Sequence, residues 1–236
     1  MSIAARLTAI RGRIAEAARR AGRQSGLVTL VAVSKFHPVT AIEEAYAAGQ
    51  RHFGENRVQE AEEKTVGLGP LLKAADPLRL ELIGPLQSNK ARRAVAAVSR
   101  IQSIDSVDIG VRVGRIASEE GRVMPVLIQV DLAGEATKAG VPDKELLPAL
   151  ESLRGVGGIR VEGLMAIPPF LDDPNEVRPY FARLRALRDE AHAKGLLQGS
   201  ELSMGMSHDF EAAIEEGATI VRVGTAIFGE RPPKPA

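Results

Sequence analysis

The feature that most constrains this chain is an eight-fold alternation of short apolar runs with helical patterns. The runs fall at Leu27–Lys35, Arg51–Gly54, Leu78–Gly84, Arg100–Ile104, Val123–Leu132, Ile159–Ile167, Glu201–Gly205 and Thr219–Gly224. Helical patterns separate them, at Pro38–Gly49, after Glu55–Glu60, and at Ser88–Val98, Val107–Glu119, Pro142–Leu153, Pro174–Lys194 and His208–Gly217. Pro38 and Gly49 are the start and stop residues a helix uses. The first run is apolar on both parities, the mark of a strand buried on both faces of a parallel sheet. Eight strand–helix units in 236 residues match the ~250 residues of a (β/α)8 barrel. The expected fold class is therefore α/β, a single (β/α)8 TIM barrel. An open doubly wound sheet is the alternative, but it has no reason to stop at eight strands. No linker or shift in composition divides the chain. Residues 1–236 are expected to form one domain, with 230–236 a flexible tail that is Pro-rich from Pro232.

Composition narrows the function. Aromatics are 3% and Trp is absent against 44% hydrophobic residues, so the core must be built from Val, Ile, Leu and Ala. A net charge of +1 gives no electrostatic case for nucleic acid or an acidic membrane. No apolar run approaches the ~20 residues that span a bilayer. Absence of Cys excludes disulfides, thiolate metal sites and cysteine nucleophiles, and suits a reducing, cytoplasmic setting. The four histidines, at 37, 52, 192 and 208, form no i,i+4 pair, so no metal site is expected. Met1–Arg23 is rich in Arg and Ala, as a transit peptide is. Ile3, Leu7, Ile10 and Ile14 nevertheless share one helical face, which favours an extra N-terminal helix packed on the barrel.

The first strand ends in Lys35. By alternation Lys35 points inward with Val33, Val31 and Thr29. An ammonium there must neutralise or find partners, which suits imine formation with a carbonyl; the plain alternative is a lysine snorkelling from a strand end. Barrel chemistry sits at the C-terminal ends of the strands, with phosphate sites frequent after strands seven and eight. Those loops read Leu202-Ser203-Met204-Gly205-Met206-Ser207 and Val221-Arg222-Val223-Gly224-Thr225-Ala226. Their small residues and hydroxyls let backbone N–H groups approach an anion. Arg222 enters the lumen if its neighbouring valines face the helices, and needs a partner there, either a ligand or an inward carboxylate such as Asp131 or Glu55. Gly84–Lys90 lacks the second Gly and final Ser/Thr of a P-loop, and Gly155–Gly158 follows a helix, so neither marks a nucleotide site.

Several blocks together resemble a known family. They are Val31-Ala-Val-Ser-Lys35, Phe53-Gly-Glu-Asn-Arg-Val-Gln-Glu60, Ile83-Gly-Pro-Leu-Gln-Ser-Asn-Lys90, Gly163-Leu-Met165, Leu202–Ser207 and Val221–Arg231. Nearly end to end, the chain resembles the YggS/PROSC family of pyridoxal-phosphate-binding proteins, also called PLP homeostasis proteins. That resemblance implies a barrel like the N-terminal domain of alanine racemases, with pyridoxal 5'-phosphate (PLP) as cofactor. It implies that Lys35 holds the cofactor aldehyde as a Schiff base. It further implies phosphate binding at Ser203, Gly224 and Thr225, Arg222 facing the pyridine nitrogen, and Asn56 and Met165 lining the ring. Two places depart from the family pattern: Glu81-Leu82 stand where His-Phe is common, and Asp131 where Asn is usual.

A racemase needs proton donors on both faces of the substrate carbon, commonly a lysine and a tyrosine. Both tyrosines here, Tyr46 and Tyr180, fall in expected helices, and the sequence ends soon after strand eight, leaving no second domain to close the site. Arg222 stays protonated and donates no proton readily to a ring nitrogen. The reading is a PLP-binding homeostasis protein without catalytic residues, a monomer that exchanges PLP with apo PLP-dependent enzymes. A PLP-dependent amino-acid racemase is the alternative, and a cofactor-free lysine aldolase on the same barrel a third.

Overall fold

The computed structural model describes residues 1–134 and 139–230. Nine parallel strands are present among them: β1 (Thr29–Val33), β2 (His52–Glu55), β3 (Arg79–Leu82), β4 (Arg100–Ile104), β5 (Met124–Asp131), β6 (Val141–Pro142), β7 (Ile159–Met165), β8 (Glu201–Ser203) and β9 (Ile220–Val223). Their order is β4-β3-β2-β1-β9-β8-β7-β5, and β4 also pairs with β5, which closes a ring of eight. The two-residue β6 hangs outside the ring on β5. The chain is a closed TIM barrel, as the alternation predicts, and not an open sheet.

Helices α2 (Val39–Ala47), α3 (Val58–Leu72), α4 (Ala91–Ala97), α5 (Val107–Glu119), α6 (Leu146–Leu153), α7 (Arg178–Ala193), α8 (Phe210–Glu215) and α9 (Thr225–Phe228) surround it. The extra helix is present as α1 (Ile3–Arg20). Ser2 caps it, its hydroxyl accepting from the Ala5 N–H at 3.2 Å. Leu7, Ile10, Ile14, Ala17 and Ala18 are buried from one face, and α1 packs against α2, α8 and α9. Among the described residues no helix is long and apolar enough to cross a membrane.

Each strand divides its side chains between two cores. Phe53, Leu80, Leu82 and Ile101 face the helices, where Phe181 and Phe210 fill the large gaps. Fully burying one such side chain is worth about 1.5–3 kcal/mol. Val31, Leu127, Met165 and Ile220 meet inside the lumen. Several boundaries differ from expectation. Pro142, expected to start a helix, pairs in β6, and α6 begins only at Leu146. Leu27 lies in a 3-10 turn and is exposed, so the first strand starts at Thr29. Ser88 opens a 3-10 turn and makes no cap bond, so α4 begins only at Ala91. The long charged helix starts at Arg178, not Pro174, because Asp173 Oδ1 ties the Asn175 N–H into a turn and Pro179 then suits a first helical turn. The expected tail falls outside the described residues from Arg231 onward.

Candidate functional site

The turn after β1 presents Lys35. His37 N–H donates to the Ser34 carbonyl at 3.0 Å, closing a four-residue turn with Phe36 at φ 67°. That left-handed position ordinarily takes Gly or Asn, and a bulky residue there costs ~1–3 kcal/mol. The outer layer holds the turn in place. Lys64 of α3 directs its three donors to Ser34 O (2.9 Å), Glu55 Oε1 (2.7 Å) and Glu60 Oε1 (2.8 Å). Glu60 Oε1 also accepts from the Phe36 N–H at 2.5 Å, and Ser34 Oγ donates to Glu55 Oε1 at 2.6 Å. Burial pushes the Glu55 carboxyl up to about 7, with Lys64 and Ser34 pulling the other way. Ser34 and Glu55 thus face the helices, while Lys35 and Val33 face the barrel mouth.

There they line a cavity of about 350 Å³. Asn56, Ile83, Gly84 and Pro85 form one side, and Met206, Ser207, Gly224 and Thr225 another; Gln129, Ile167 and Arg222 also line it. Larger cavities exist, including one of about 520 Å³ around His52, Arg79 and Arg100 at the opposite end. The smaller one combines a lysine amine with a buried guanidinium at the C-terminal ends of the strands, where barrel ligands bind.

Arg222 is buried and charged. Its Nη1 donates to Ser203 Oγ at 2.6 Å and its Nη2 to the Ala166 carbonyl at 2.9 Å. Burial lowers its pKa to about 10, with Asp209 opposing the drop, so it stays protonated at neutral pH. Neither carboxylate anticipated as its partner touches it. Asp131 Oδ1 caps its own turn through the N–H groups of Ala133 and Gly134, and Glu55 lies on the outer layer. At Gly224 an added Cβ would stand 3.2 Å from the Val33 carbonyl, so a side chain there would crowd the wall. The Gly224 N–H donates to Ser207 Oγ at 3.4 Å, drawing the loops after β8 and β9 together.

The residues suit PLP. An amine stands on one wall, small residues with the hydroxyls of Ser207 and Thr225 on another, and a cation below. The volume lies within the range of small-molecule sites. Five of the residues singled out in the sequence, Lys35, Asn56, Arg222, Gly224 and Thr225, share this cavity. Met165 and Ser203 do not line it. Both end their strands one layer deeper: Met165 packs among Val31, Leu127 and Ile220, and Ser203 lies beneath Arg222, donating to Gln102 Oε1. Sequence reading missed Ile83, Gln129, Ile167 and Met206 as lining residues. Gln129 carried a signal as a polar residue inside the apolar β5 run, and Ile83 and Met206 lie in blocks that carry the family resemblance. The departures from the family pattern also lie off the cavity wall. Glu81 is inside the lumen below it and Leu82 in the helix-facing core.

Comparison with known proteins agrees with this geometry. The chain matches the family described as alanine racemase, N-terminal domain, over residues 5–232. It is 43% identical to the pyridoxal phosphate homeostasis protein of Aquifex aeolicus, over 98% of this chain and 99% of that one. The structure of PipY from Synechococcus elongatus PCC7942 with PLP bound superposes with a TM-score of 0.84 at 43% identity, covering 97% of this chain and 100% of PipY. Alanine racemase of Clostridium difficile 630 shares the fold alone. Its TM-score is 0.72 at 14% identity, covering 94% of this chain and 56% of the racemase. A closed barrel of the alanine racemase N-terminal type, matched nearly end to end at this identity, places the chain in the family of pyridoxal phosphate homeostasis proteins.

Proposed function

We propose that this protein binds pyridoxal 5'-phosphate and serves intracellular PLP homeostasis, holding the cofactor on Lys35 without catalytic turnover. The observation that carries this reading is the convergence of Lys35, Arg222, Gly224 and Thr225 on one cavity at the barrel mouth. When bound, the cofactor brings an aldehyde that condenses reversibly with an amine. Lys35 presents that amine, on a turn fixed from behind by Lys64 and Glu60. Thr225, Ser207 and the backbone at Gly224 would hold the phosphate, and Asn56 would hold the ring. Arg222, charged and unable to act as an acid near neutrality, would not protonate the ring nitrogen.

The surroundings favour exchange over carbanion chemistry. Neither tyrosine lines the cavity. The Tyr46 hydroxyl donates to the Asp76 carbonyl at 2.7 Å, and Tyr180 packs on the helix-facing core. Phe36, Ile167 and Phe170 are exposed. The first two stand at the turn and wall of a mouth that water can enter, and water access favours release of the aldehyde over protected proton abstraction. Water access supports a carrier that releases PLP to apo PLP-dependent enzymes, and we read that carrier as cytoplasmic and monomeric. The test pairs two assays. Holoprotein mixed with an apo PLP enzyme should lose its yellow absorbance as that enzyme gains activity. D- and L-alanine should not interconvert above background, nor take up solvent deuterium at Cα. Robust Cα exchange that disappears in Lys35→Ala would instead establish the racemase reading.

A further inference from the structure

A column of polar side chains runs through the lumen beneath Arg222. His52 Nδ1 lies 2.7 Å from Glu81 Oε1, and Gln102 Nε2 donates to Glu81 Oε2 at 2.7 Å. Ser203 Oγ donates to Gln102 Oε1 at 2.5 Å, and Arg222 Nη1 donates to Ser203 Oγ at 2.6 Å. Glu81, Gln102, Ser203 and Arg222 are buried, whereas His52 borders the cavity at the far end of the barrel.

The direction of every bond in the column is set at Glu81. Burial alone would raise its pKa, but the hydrogen bond from His52, the charge of Arg100 and the bond from Gln102 together hold it below the ordinary glutamate value. An ionised carboxylate only accepts, so Gln102 must turn its NH2 toward Glu81 and its carbonyl toward Ser203. Ser203 has one hydroxyl hydrogen and directs it to that carbonyl, leaving lone pairs for Arg222. A guanidinium only donates, so it requires such an acceptor. With Gln102 reversed, Ser203 would receive hydrogens from both neighbours while its own lacked an acceptor in a buried site, which is costly. Linked bonds of this kind also polarise one another.

We propose that Glu81 is a positioning residue for the cofactor site. Acting through Gln102 and Ser203, it fixes where Arg222 places its guanidinium in the Lys35 cavity. The proposal deepens the functional reading above and rests on PLP occupying that cavity.

The test is a mutant cycle with two kinds of readout. Glu81→Gln leaves the volume unchanged but frees Gln102 to reverse; Gln102→Met breaks the column and spares the contacts of Glu81 with His52 and Arg100. Each variant should melt cooperatively, bind PLP about three- to tenfold more weakly in an absorbance titration, and shift the absorption band of the bound cofactor. Added to Ser203→Ala, Glu81→Gln should cause little further loss, because the path to Arg222 is already cut. Independently of any cofactor, the Gln102 side-chain amide and Arg222 Nε–H resonances of the apoprotein should move in Glu81→Gln. Unchanged affinity and band in both single variants would overturn the proposal. So would an equal loss in the Ser203→Ala background, or unmoved apoprotein resonances. Failure of the unaltered protein to take up PLP would refute the functional reading instead, and the apoprotein resonances would still decide the column.

Discussion

Replacing Glu55 by glutamine should stabilise the protein increasingly as pH rises from 5 to 8. The Glu55 side chain is fully buried, and its Oε2 has no hydrogen-bond partner among the described residues. Burial raises its pKa from 4.5 to about 7 despite Lys64 at 2.7 Å. A carboxyl whose folded pKa is raised contributes fully below its unfolded value and loses that contribution as pH climbs through the folded one. Glu55 therefore weakens the fold progressively between pH 4.5 and about 7. At roughly 1.4 kcal/mol per tenfold change in proton affinity, the ceiling is about 3 kcal/mol. Glutamine carries no charge at any of these pH values. Its carbonyl can accept from Ser34 and Lys64, and Lys64 retains Glu60 and the Ser34 carbonyl. Any loss from the changed geometry is constant with pH, so the slope isolates the ionisation. Urea or thermal unfolding of both proteins at pH 5, 6, 7 and 8 gives the comparison. Part of the effect is already present at pH 5, leaving about 2.5 kcal/mol between pH 5 and 8, so for a chain of this size the gap in Tm should widen by roughly 5–10 °C across the series. A gap that stays flat, or narrows with pH, would refute the argument.

Other expectations follow from the same geometry. Thr225→Val removes a hydroxyl from the cavity wall, and a hydrogen bond to a charged group is worth about 1.5–3 kcal/mol. Affinity for PLP should fall tenfold or more in an absorbance titration while affinity for pyridoxal, lacking the phosphate, stays the same. Gly12 lies on the exposed face of α1 with nothing within 4 Å of an added Cβ, so Gly12→Ala should stabilise by about 0.8–1 kcal/mol in urea unfolding. Gly158 sits at φ 77° with an added Cβ 2.1 Å from the Gly114 carbonyl, and Gly158→Ala should destabilise by about 2–4 kcal/mol in the same assay.

Much of this molecule is legible in its sequence, for reasons that differ residue by residue. The alternation rule carries Lys35 and Arg222 inward because side-chain direction along a strand is a local property. Strand count and closure follow from repeated local patterns in the same way. What fills the space opposite an inward residue is not local. Arg222 meets Ser203, and Ser203 meets Gln102 from a strand 101 residues away, which no run of neighbours announces. Depth is equally hidden: Ser203 and Met165 stand at strand ends, but only the closed ring shows that the wall is built one layer higher, by Ser207 and Ile167. Lys64 lies four residues from Glu60 on α3 and pairs with it. Its burial arises because α3 covers the end of β2, where Glu55 waits beneath it. The left-handed Phe36 has no signal at all, since an aromatic residue would be the last choice for that conformation.

The central claim is that Lys35, and not another lysine, carries the cofactor. Borohydride reduction of the PLP-loaded protein, followed by peptide mass mapping, tests it most directly. The account predicts one phosphopyridoxyl group per chain, on the peptide containing Lys35, and its loss in Lys35→Ala. An adduct confined to Lys64, Lys90 or any other lysine, or loading undiminished in Lys35→Ala, would contradict it.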